Sequence, residues 1–267
     1  MHPVLNVAVE AAHAAANIMR RQMQHVDAIP FERKARHDYV TEVDKACEAE
    51  IVRHIRHYYP DHALLCEESG ATGEANVVWI IDPLDGTSNY MHGIPHFAVS
   101  IAQQVNGRIE HGVVYDPMRD ELFTASRGNG AFMNQKRIRA SARKSLDNAV
   151  VATAFPFRER GQLQAYARVF QAVFGKVEDF RRAGTASLDL AWVAAGRLDA
   201  YFEVGIKPWD VAAGALLVRE AGGVALDFEG NDSVEHSGTI VAAPYKLMTP
   251  LRQIVTKNWN PKSKGSE

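Results

Sequence analysis

The sequence predicts a mixed α/β protein built from two subdomains that share one body. Its 267 residues are 46% hydrophobic and 23% charged, which is the composition of an ordinary folded protein. Two patterns indicate the class: short apolar runs follow two helices in the first half, and strands alternate with helices from about residue 147. Because no linker rich in Pro, Gly or Ser separates the halves, we expect a cleft between them.

The first half begins with two predicted helices. The N-terminal stretch MHPVLNVAVEAAHAAANIMRRQ has an apolar side interrupted by polar residues such as Asn6 and Glu10, which predicts an amphipathic helix rather than a signal peptide or a membrane span. A second helix begins at Thr41, because Asp44 three residues later completes a capping-box pattern and apolar residues then recur every three or four positions. Pro60 ends this helix.

Short apolar runs follow, each bounded by Gly, Pro or Asn, which is typical of strands. They comprise residues 63–66, 77–81, 97–105, 112–115 and 122–125. The spacing predicts a largely antiparallel sheet with the helices packed against it.

The second half predicts alternating strands and helices. The strands are at residues 149–154, around 177, 200–203, 223–227 and 238–242, and the helices at 162–174, 187–195, 211–221 and 247–255. We therefore expect an N-terminal α+β subdomain at residues 1–146 and a C-terminal α/β subdomain at residues 147–256. Residues 257–267, which end in NPKSKGSE, predict a disordered tail.

Charge and cysteine usage exclude several classes of function. Thirty Lys and Arg residues against 32 Asp and Glu residues give a net charge of −2, so no overall field attracts nucleic acid or an anionic membrane. No interleaving of aromatic and basic residues indicates a nucleic-acid module. The two cysteines, Cys47 and Cys66, are too few for a disulfide framework and predict a cytoplasmic protein. We interpret Cys66 as a small buried apolar residue.

Acidic residues stand at the edges of predicted strands and helices. Carboxylates at strand ends converge on one edge of a sheet, where they repel each other unless a divalent cation is bound. Magnesium prefers such oxygen ligands, and a carboxylate that bridges two ions would form a two-metal phosphoryl-transfer site. The residues are Glu67 and Glu68 after the first run, Asp82 and Asp85 after the second, and Asp210 before an Ala-rich helix.

The segment that begins at Asp82 also contains a phosphate-binding pattern. Pro83 stiffens the turn, so that Asp82, the Leu84 carbonyl and Asp85 can face one small volume. The amides of the following Gly-Thr-Ser sequence at residues 86–88 suit a phosphate group. Together with the other acidic sites, this segment indicates a site for metal and phosphate.

Each acidic site has a structural interpretation as well. Asp85 followed by Gly86 is a common turn sequence. Asp210 lies at the predicted N-cap of its helix, and Asp44 could simply favour the first turn of another. The acidic pair after the first run could be a solvated pair in a loop. From pattern alone both interpretations stay open.

Four segments resemble the signatures of the inositol monophosphatase family. They are WIIDPLDGTSNY at residues 79–90, WDVAAGALLVREAGG at 209–223, EES at 67–69 and DYVTEVD at 38–44. They occur in the family's order across residues 38–223. The chain start MHPVLNVAV and the segment DFRRAGT at residues 179–185 resemble the bacterial SuhB branch of the family. The resemblance covers the whole chain except the tail.

This resemblance implies a fold and an activity. The implied fold is a layered α-β-α-β-α sandwich of the inositol monophosphatase and fructose bisphosphatase type, usually assembled as a homodimer. The implied activity is the hydrolysis of phosphate monoesters of inositol and similar polyols. It depends on Mg²⁺ and is inhibited by lithium. The implied mechanism is direct attack by metal-activated water without a covalent phosphoenzyme.

The resemblance also implies residue roles. Two or three Mg²⁺ ions per subunit would be held mostly by the N-terminal subdomain. The first site would use Glu67, Asp82 and the Leu84 carbonyl; the second would use Asp82, Asp85 and Asp210; Glu67 would also serve a weaker third site. The catalytic group would be Glu67 with Thr87 and Asp44, of which the last two orient and deprotonate water. The substrate contacts would be Gly86, Thr87, Gly184, Thr185, Ala186, Glu203 and Asp210, with phosphate on the Gly86 and Thr87 amides.

Several positions leave the family's pattern open. The family's basic residue upstream of Asp38 has three candidates, Arg33, Lys34 and Arg36, because the loop length differs, and we assign it to Lys34. The segment at residues 155–157, Phe-Pro-Phe, lies where members differ and shape the substrate pocket. We interpret His92 and His96 as surface or packing residues, since no nucleophile elbow supports a Ser-His-Asp site.

Two rival functions follow from the same resemblance. Related lithium-sensitive enzymes cleave fructose bisphosphate or adenosine bisphosphate, although they generally carry additional recognition segments. The SuhB branch is associated with transcription antitermination and RNA maturation through binding to the transcription machinery. Arg181 and Arg182 are the residues to examine: they could be a salt-bridged or dimer-interface pair, or part of a partner surface.

Overall fold

The computed structural model describes residues 2–24, 31–35, 38–157 and 159–261. Its helices are α1 (Pro3–Gln22), α2 (Glu42–Tyr58), α3 (Thr87–Met91), α4 (Leu163–Phe174), α5 (Ala186–Ala194), α6 (Pro208–Glu220), α7 (Val234–Ser237) and α8 (Tyr245–Asn258). The strands of the first half are β1 (Phe31–Ala35), β2 (Asp38–Thr41), β3 (Ala63–Cys66), β4 (Gly70–Thr72), β5 (Val77–Asp85), β6 (Ala98–Val105), β7 (Arg108–Asp116), β8 (Glu121–Ser126), β9 (Gly130–Met133) and β10 (Lys136–Arg137). Those of the second half are β11 (Val150–Thr153), β12 (Asp179–Arg181), β13 (Ala200–Val204), β14 (Gly223–Leu226) and β15 (Thr239–Pro244).

The elements form five layers. Helices α1 and α2 cover one face of an eight-stranded sheet, ordered β10-β9-β8-β7-β6-β5-β3-β4. Helices α5 and α6 lie on its other face and also pack against a five-stranded sheet, ordered β12-β11-β13-β15-β14. Helices α4 and α8 close the far side of that second sheet. The predicted α-β-α-β-α sandwich is therefore confirmed.

The outer pair of helices forms by the pattern that the sequence predicts. Small residues on one side of α1, including Ala11, Ala12 and Ala15, are fully buried and allow close packing against α2. Thr41 caps α2: its hydroxyl accepts from the Asp44 amide at 3.3 Å, and Asp44 Oδ2 accepts from the Thr41 amide at 2.8 Å. The predicted capping box is therefore present.

The first sheet is antiparallel except where β3 runs parallel to β5. Side chains along β5 alternate: Trp79 and Ile81 belong to the core under α1 and α2, whereas Ile80 belongs to the core around α5 and α6. The sequence patterns missed β4, β9 and β10, because these short strands close tight hairpins and contain too few apolar residues to show a period.

The second sheet differs from the prediction at one strand. The strand expected around Val177 is β12, which begins at Asp179, where Val150 aligns with it in parallel. The five strands are mixed, since β11 is parallel to β12 and β13 while β15 is antiparallel to both of its neighbours. The core between the two sheets takes residues from both halves, including Val114 on β7 and Tyr201 on β13. Hydrophobic packing thus continues across the expected subdomain boundary.

The C-terminal helix is longer than predicted. Helix α8 extends to Asn258, so residues 257 and 258 of the expected tail are helical. Trp259 then packs edge-on against Phe228 with ring centroids 5.5 Å apart, and Arg168 Nη2 donates to the Asn260 carbonyl at 2.8 Å. These contacts hold residues that composition alone assigned to disorder. Residues 262–267 of the expected tail lie outside the described residues.

Across the described ranges, none of the helices combines the length and the apolar character needed to cross a membrane.

Candidate active site

A cleft opens where the two sheets and the inner helices meet. The carboxyl ends of β5 and β13 and the N-terminal ends of α3, α5 and α6 border it. Among its lining residues are Glu67, Asp82, Leu84, Asp85, Gly86 and Thr87 from the first half and Gly184, Thr185, Ala186, Glu203 and Asp210 from the second. All predicted site residues except Asp44 therefore line one cleft, and Asp44 contacts it through Thr87.

A bulge in β5 turns two acidic side chains to the same side. Asp82 aligns with Ser100 on β6 and Asp85 aligns with Ala98, so β5 contains one extra residue between them. Leu84 consequently belongs to the core under α1 and α2. The Leu84 amide donates to Asp82 Oδ1 at 3.0 Å. Pro83 has no backbone N–H to donate to a neighbouring strand, and a bulge is a position where a strand tolerates such a residue.

Strand pairing places Glu67 beside this bulge. Cys66 aligns with Ile81 in the parallel β3–β5 pair, and the Glu67 amide donates to the Ile81 carbonyl at 3.1 Å. Glu67 therefore follows the last residue of β3 at the level where Asp82 follows Ile81. The expectation that carboxylates at neighbouring strand ends converge is met here.

The acidic side chains of the cleft lie close enough to affect each other's ionisation. Burial raises the pKa of Asp82 well above its usual range, and the neighbouring charges of Glu67, Asp85 and Asp210 raise it further. Asp85 Oδ2 accepts from the Ser187 amide at 2.8 Å and from its hydroxyl at 2.6 Å. Within the described ranges, no group of three or more His, Cys, Asp or Glu side chains is already arranged to hold a metal ion.

Asp210 lies deeper in its helix than the sequence predicted. Helix α6 begins at Pro208, which is favoured at the first helical position, and Lys207 is the N-cap. Asp210 is therefore the third residue of the helix rather than its N-cap, and its Oδ2 accepts from the Lys207 amide at 2.7 Å. This carboxylate stabilises the helix start and lines the cleft at the same time.

Thr87 and Asp44 form a partly buried hydrogen-bonded pair. The Thr87 hydroxyl lies 2.9 Å from Asp44 Oδ1 and 3.1 Å from the Leu84 carbonyl, and it can donate to either. Asp44 is fully buried, and this burial raises its pKa against the opposing effect of the hydrogen bonds from Thr41. The pair connects α2 to the first residue of α3.

The predicted substrate residues line the opposite wall of the cleft. Gly184, Thr185 and Ala186 lead into α5, and the Thr185 hydroxyl donates to the His96 carbonyl at 3.1 Å. Glu203 lies on β13 and accepts a hydrogen bond from the Tyr201 hydroxyl. Burial raises the pKa of Glu203 to about 8.

Nearly the whole chain matches a known family of proteins. The model of the inositol monophosphatase family matches residues 1–260. The chain belongs to the inositol monophosphatase family.

Relatives within the family agree over almost the full length. Nus factor SuhB from Escherichia coli strain K12 is 50% identical over 253 residues, which cover 94% of this chain and 95% of that protein. A crystal structure of the extragenic suppressor protein suhB from Bartonella henselae superposes with a TM-score of 0.92 at 41% identity, covering 95% and 98% of the two chains. The inositol monophosphatase from Anabaena (Nostoc) sp. PCC 7120 gives a TM-score of 0.85 at 37% identity, covering 97% of each.

Further residues outside the predicted site set also line the cleft, and one of them, Phe157, belongs to the segment that was expected to shape the substrate pocket. They include Arg182, Asp189 and Phe157, and the Arg182 guanidinium lies 5.7 Å from the Phe157 ring centre. Burial raises the pKa of Asp189 well above its usual range; the charges of Glu203 and Asp85 add to this effect, and Arg182 opposes it. The signal for Asp189 is its place as an acidic residue within the otherwise apolar segment Leu-Asp-Leu-Ala-Trp at residues 188–192.

Arg181, His92 and His96 do not line the cleft. Arg181 forms an ion pair with Asp179 on β12, so the adjacent arginines have separate environments and only Arg182 lines the cleft. His92 is exposed at the end of α3, and His96 is buried with its ring edge-on against Trp192. These positions agree with surface and packing roles.

The Phe-Pro-Phe segment and Lys34 are the positions that the family pattern left open. Phe155 is 46% exposed and packs edge-on against Tyr166, while Phe157 alone of the Phe-Pro-Phe segment lines the cleft. The side chain of Lys34 lies outside the described residues, so its match to the family's basic residue stays a prediction.

Proposed function

We propose that this protein is a Mg²⁺-dependent phosphate monoester hydrolase that acts on inositol monophosphates and is inhibited by lithium. The observation that carries the proposal is the group of acidic side chains around buried Asp82, next to the hydrogen bond between Thr87 and Asp44. Membership in the inositol monophosphatase family supports the reaction class.

The donor set fits magnesium. Carboxylates and a backbone carbonyl are hard oxygen ligands, and a buried carboxylate with three acidic neighbours is costly unless a cation compensates it. Glu67, Asp82 and the Leu84 carbonyl would hold one ion, and Asp82, Asp85 and Asp210 a second, with Glu67 available to a weaker third. Bound Mg²⁺ would polarise the phosphate and stabilise negative charge on the attacking and leaving oxygens.

Thr87 and Asp44 would prepare the attacking water. When the Thr87 hydroxyl donates to Asp44 Oδ1, its oxygen can accept a hydrogen bond from water in the cleft. The raised pKa of Asp44 makes its carboxylate a stronger base than an exposed one, so a proton can pass from water through Thr87 to Asp44. No covalent intermediate with the protein is needed.

The two walls of the cleft would bind different parts of the substrate. The amides of Gly86 and Thr87, at the start of α3, suit the phosphate. Glu203 and Asp210, with the backbone of residues 184–186, suit the hydroxyl groups of a polyol, because carboxylates and carbonyls accept hydrogen bonds from them.

Phosphate release from myo-inositol 1-phosphate tests the proposal. We expect release with Mg²⁺, inhibition by millimolar lithium, and loss of release in Asp85→Asn but not in Asp61→Asn, whose carboxylate is exposed on the loop after α2. Fructose 1,6-bisphosphate and adenosine 3′,5′-bisphosphate are assayed in parallel. A folded wild-type protein that binds Mg²⁺ but hydrolyses none of the three would overturn the proposal, and preference for a bisphosphate would replace the substrate.

A second candidate is binding to the transcription machinery. The observation that favours it is the 50% identity to Nus factor SuhB from Escherichia coli over 94% of this chain. Capture of RNA polymerase with its elongation factors by the immobilised protein tests it. Capture by wild type and by Asp85→Asn alike would support a binding role independent of catalysis, whereas absence of capture would oppose it.

Assembly and location belong to the same proposal. The family resemblance supports a cytoplasmic homodimer, which light scattering coupled to size-exclusion chromatography measures directly. We expect twice the mass of one chain, and a monomer at micromolar concentration would contradict this.

A further inference from the structure

A buried glutamate on α2 binds the turn that carries Glu67. Glu48 is 4% exposed, and its two carboxylate oxygens accept hydrogen bonds from two consecutive amides. Oε2 accepts from the Glu68 amide at 2.8 Å, and Oε1 accepts from the Ser69 amide at 2.9 Å. Hydrogen bonds from amides to a carboxylate are among the stronger ones in proteins.

These hydrogen bonds fix the backbone immediately after Glu67. Its own amide is bound to the Ile81 carbonyl at 3.1 Å, and the next two amides are bound to Glu48. The turn then enters β4, where Gly70 aligns with Cys66. The backbone of Glu67 is therefore held on both sides, although the turn itself reaches the surface.

The same helix contacts two segments that border the cleft. Asp44 and Glu48 are one turn apart on α2, so their side chains lie on one face of the helix. Asp44 contacts Thr87, whereas Glu48 contacts the turn after β3. Helix α2 thus sets the distance between the start of α3 and the turn that carries Glu67.

We propose that Glu48 is a positioning residue that orients Glu67 for cation binding. This inference rests on the proposed Mg²⁺ site. Glu48 itself does not line the cleft and acts through the backbone of the turn. Substitutions of residues that orient metal ligands typically cost about 10-fold to 100-fold in metal affinity, and we expect Glu48→Gln to fall in this range.

Hydrogen exchange tests the clamp without reference to activity. In the wild-type chain the Ser69 amide should exchange slowly despite the exposure of Ser69, in contrast to exposed amides of the neighbouring loop at residues 73–76. In Glu48→Gln the side-chain amide group faces a backbone donor, so protection at residues 68 and 69 should fall at least about tenfold. Glu50→Gln, which alters an exposed ion pair with Arg53 on the same helix, is the matched control.

Calorimetric titration with Mg²⁺ tests the consequence. Glu48→Gln should bind Mg²⁺ about tenfold or more weakly than wild type and Glu50→Gln, and its phosphatase rate should recover at saturating Mg²⁺. In a Glu67→Gln background, Glu48→Gln should cause little further loss, because both changes act on the same ligand.

The outcomes separate the two proposals. Equal Mg²⁺ affinity in Glu48→Gln and wild type, or additive losses in the double variant, would overturn the positioning role while leaving the phosphatase intact. Fast exchange at residue 69 in the wild type would overturn it even if Glu48→Gln fails to fold. A wild-type chain that binds no Mg²⁺ would instead overturn the proposed function, and the positioning role with it.

Discussion

The Thr87 hydroxyl lies 2.9 Å from Asp44 Oδ1, across 43 positions of sequence. Asp44 is fixed from its other side, because its Oδ2 accepts from both the amide and the hydroxyl of Thr41. One carboxylate therefore caps a helix with one oxygen and orients the Thr87 hydroxyl with the other. The two interpretations that the sequence left open for Asp44, helix start and site residue, are compatible.

Removal of the Thr87 hydroxyl should abolish most of the activity without unfolding the protein. In Thr87→Val the shape is kept and the proton path to Asp44 is lost, so we expect kcat to fall about 10²-fold to 10⁴-fold. Thr87→Ser keeps a hydroxyl and should retain most of the activity. Phosphate release and circular dichroism measure the two effects, and equal rates for the Val and Ser variants would contradict the assigned role.

Replacement of Asp82 by Asn should separate stability from cation binding. Asn carries no group whose ionisation is opposed by burial and by the charges of Glu67, Asp85 and Asp210, so the metal-free variant should melt no lower than wild type. Mg²⁺ should raise the Tm of wild type and raise that of the variant much less.

Differential scanning calorimetry with and without Mg²⁺ measures these effects, with Asp61→Asn as the exposed control. Activity should fall by orders of magnitude in Asp82→Asn alone. An unchanged Mg²⁺-induced shift together with retained activity would show that Asp82 does not hold the cation.

A methyl group at residue 86 should disturb both the fold and the site. Gly86 has φ = +99°, and an added Cβ would lie 2.7 Å from Thr185 Oγ1 and 3.1 Å from the His96 carbonyl. Gly107 also has a positive φ, of +78°, but nothing lies within 4 Å of an added Cβ. The free energy of unfolding should therefore fall by about 1 kcal/mol in Gly107→Ala and by about 2 kcal/mol or more in Gly86→Ala.

Chemical denaturation measures this difference, and phosphate release measures its consequence for the site. Only Gly86→Ala should lose activity, because the backbone movement that relieves the contact of the added Cβ also moves the neighbouring Thr87. Equal destabilisation in the two variants would mean that the contact with Thr185 is relieved at no cost.

The mixed α/β character of the fold was predictable because its main elements have strong local signals, whereas the order of the layers was implied by the family resemblance. Helix α2 has a complete capping box and an apolar period, and β5 is a long apolar run that ends at acidic residues. The starts of β12 and α6 were misplaced by two or three residues. Pairing with Val150 determines the start of β12, and Pro208 at the first helical position determines the start of α6.

The site was predictable only where its residues lie within family signatures or at strand ends. Glu48, Arg182 and Asp189 gave weaker signals, because a glutamate in an amphipathic helix or an arginine in a loop is usually solvated. Their environment depends on packing between distant elements: the Glu48 carboxylate meets amides 20 and 21 positions away. The apolar periodicity of a helix or a strand carries no information about such a contact.

The two cysteines should resist thiol reagents in the folded protein. Cys47 and Cys66 are fully buried, and burial raises the pKa of both thiols, that of Cys66 to about 12. Because the thiolate is the reactive form, neither should be labelled by an aromatic disulfide reagent at pH 8 within minutes. Both should be labelled in denaturant, and rapid labelling of the native protein would refute the interpretation of Cys66 as an inert core residue.

Glu203 should make the metal-free protein less stable as pH rises. Burial raises its folded-state pKa to about 8, against the opposing hydrogen bond from Tyr201 and with added repulsion from Asp210. A raised pKa means that the folded state binds the proton more tightly, so this contribution to stability is complete below the unfolded pKa, about 4.5, and is lost as pH rises through 8.

Glu203→Gln removes the titrating proton and should flatten the dependence of stability on pH, most visibly between pH 5 and about 8. Urea unfolding in the presence of a chelator measures it, with Glu42→Gln, a change of an exposed side chain at the start of α2, as the control. Parallel pH profiles for wild type and Glu203→Gln would place the titration on other groups of the cleft.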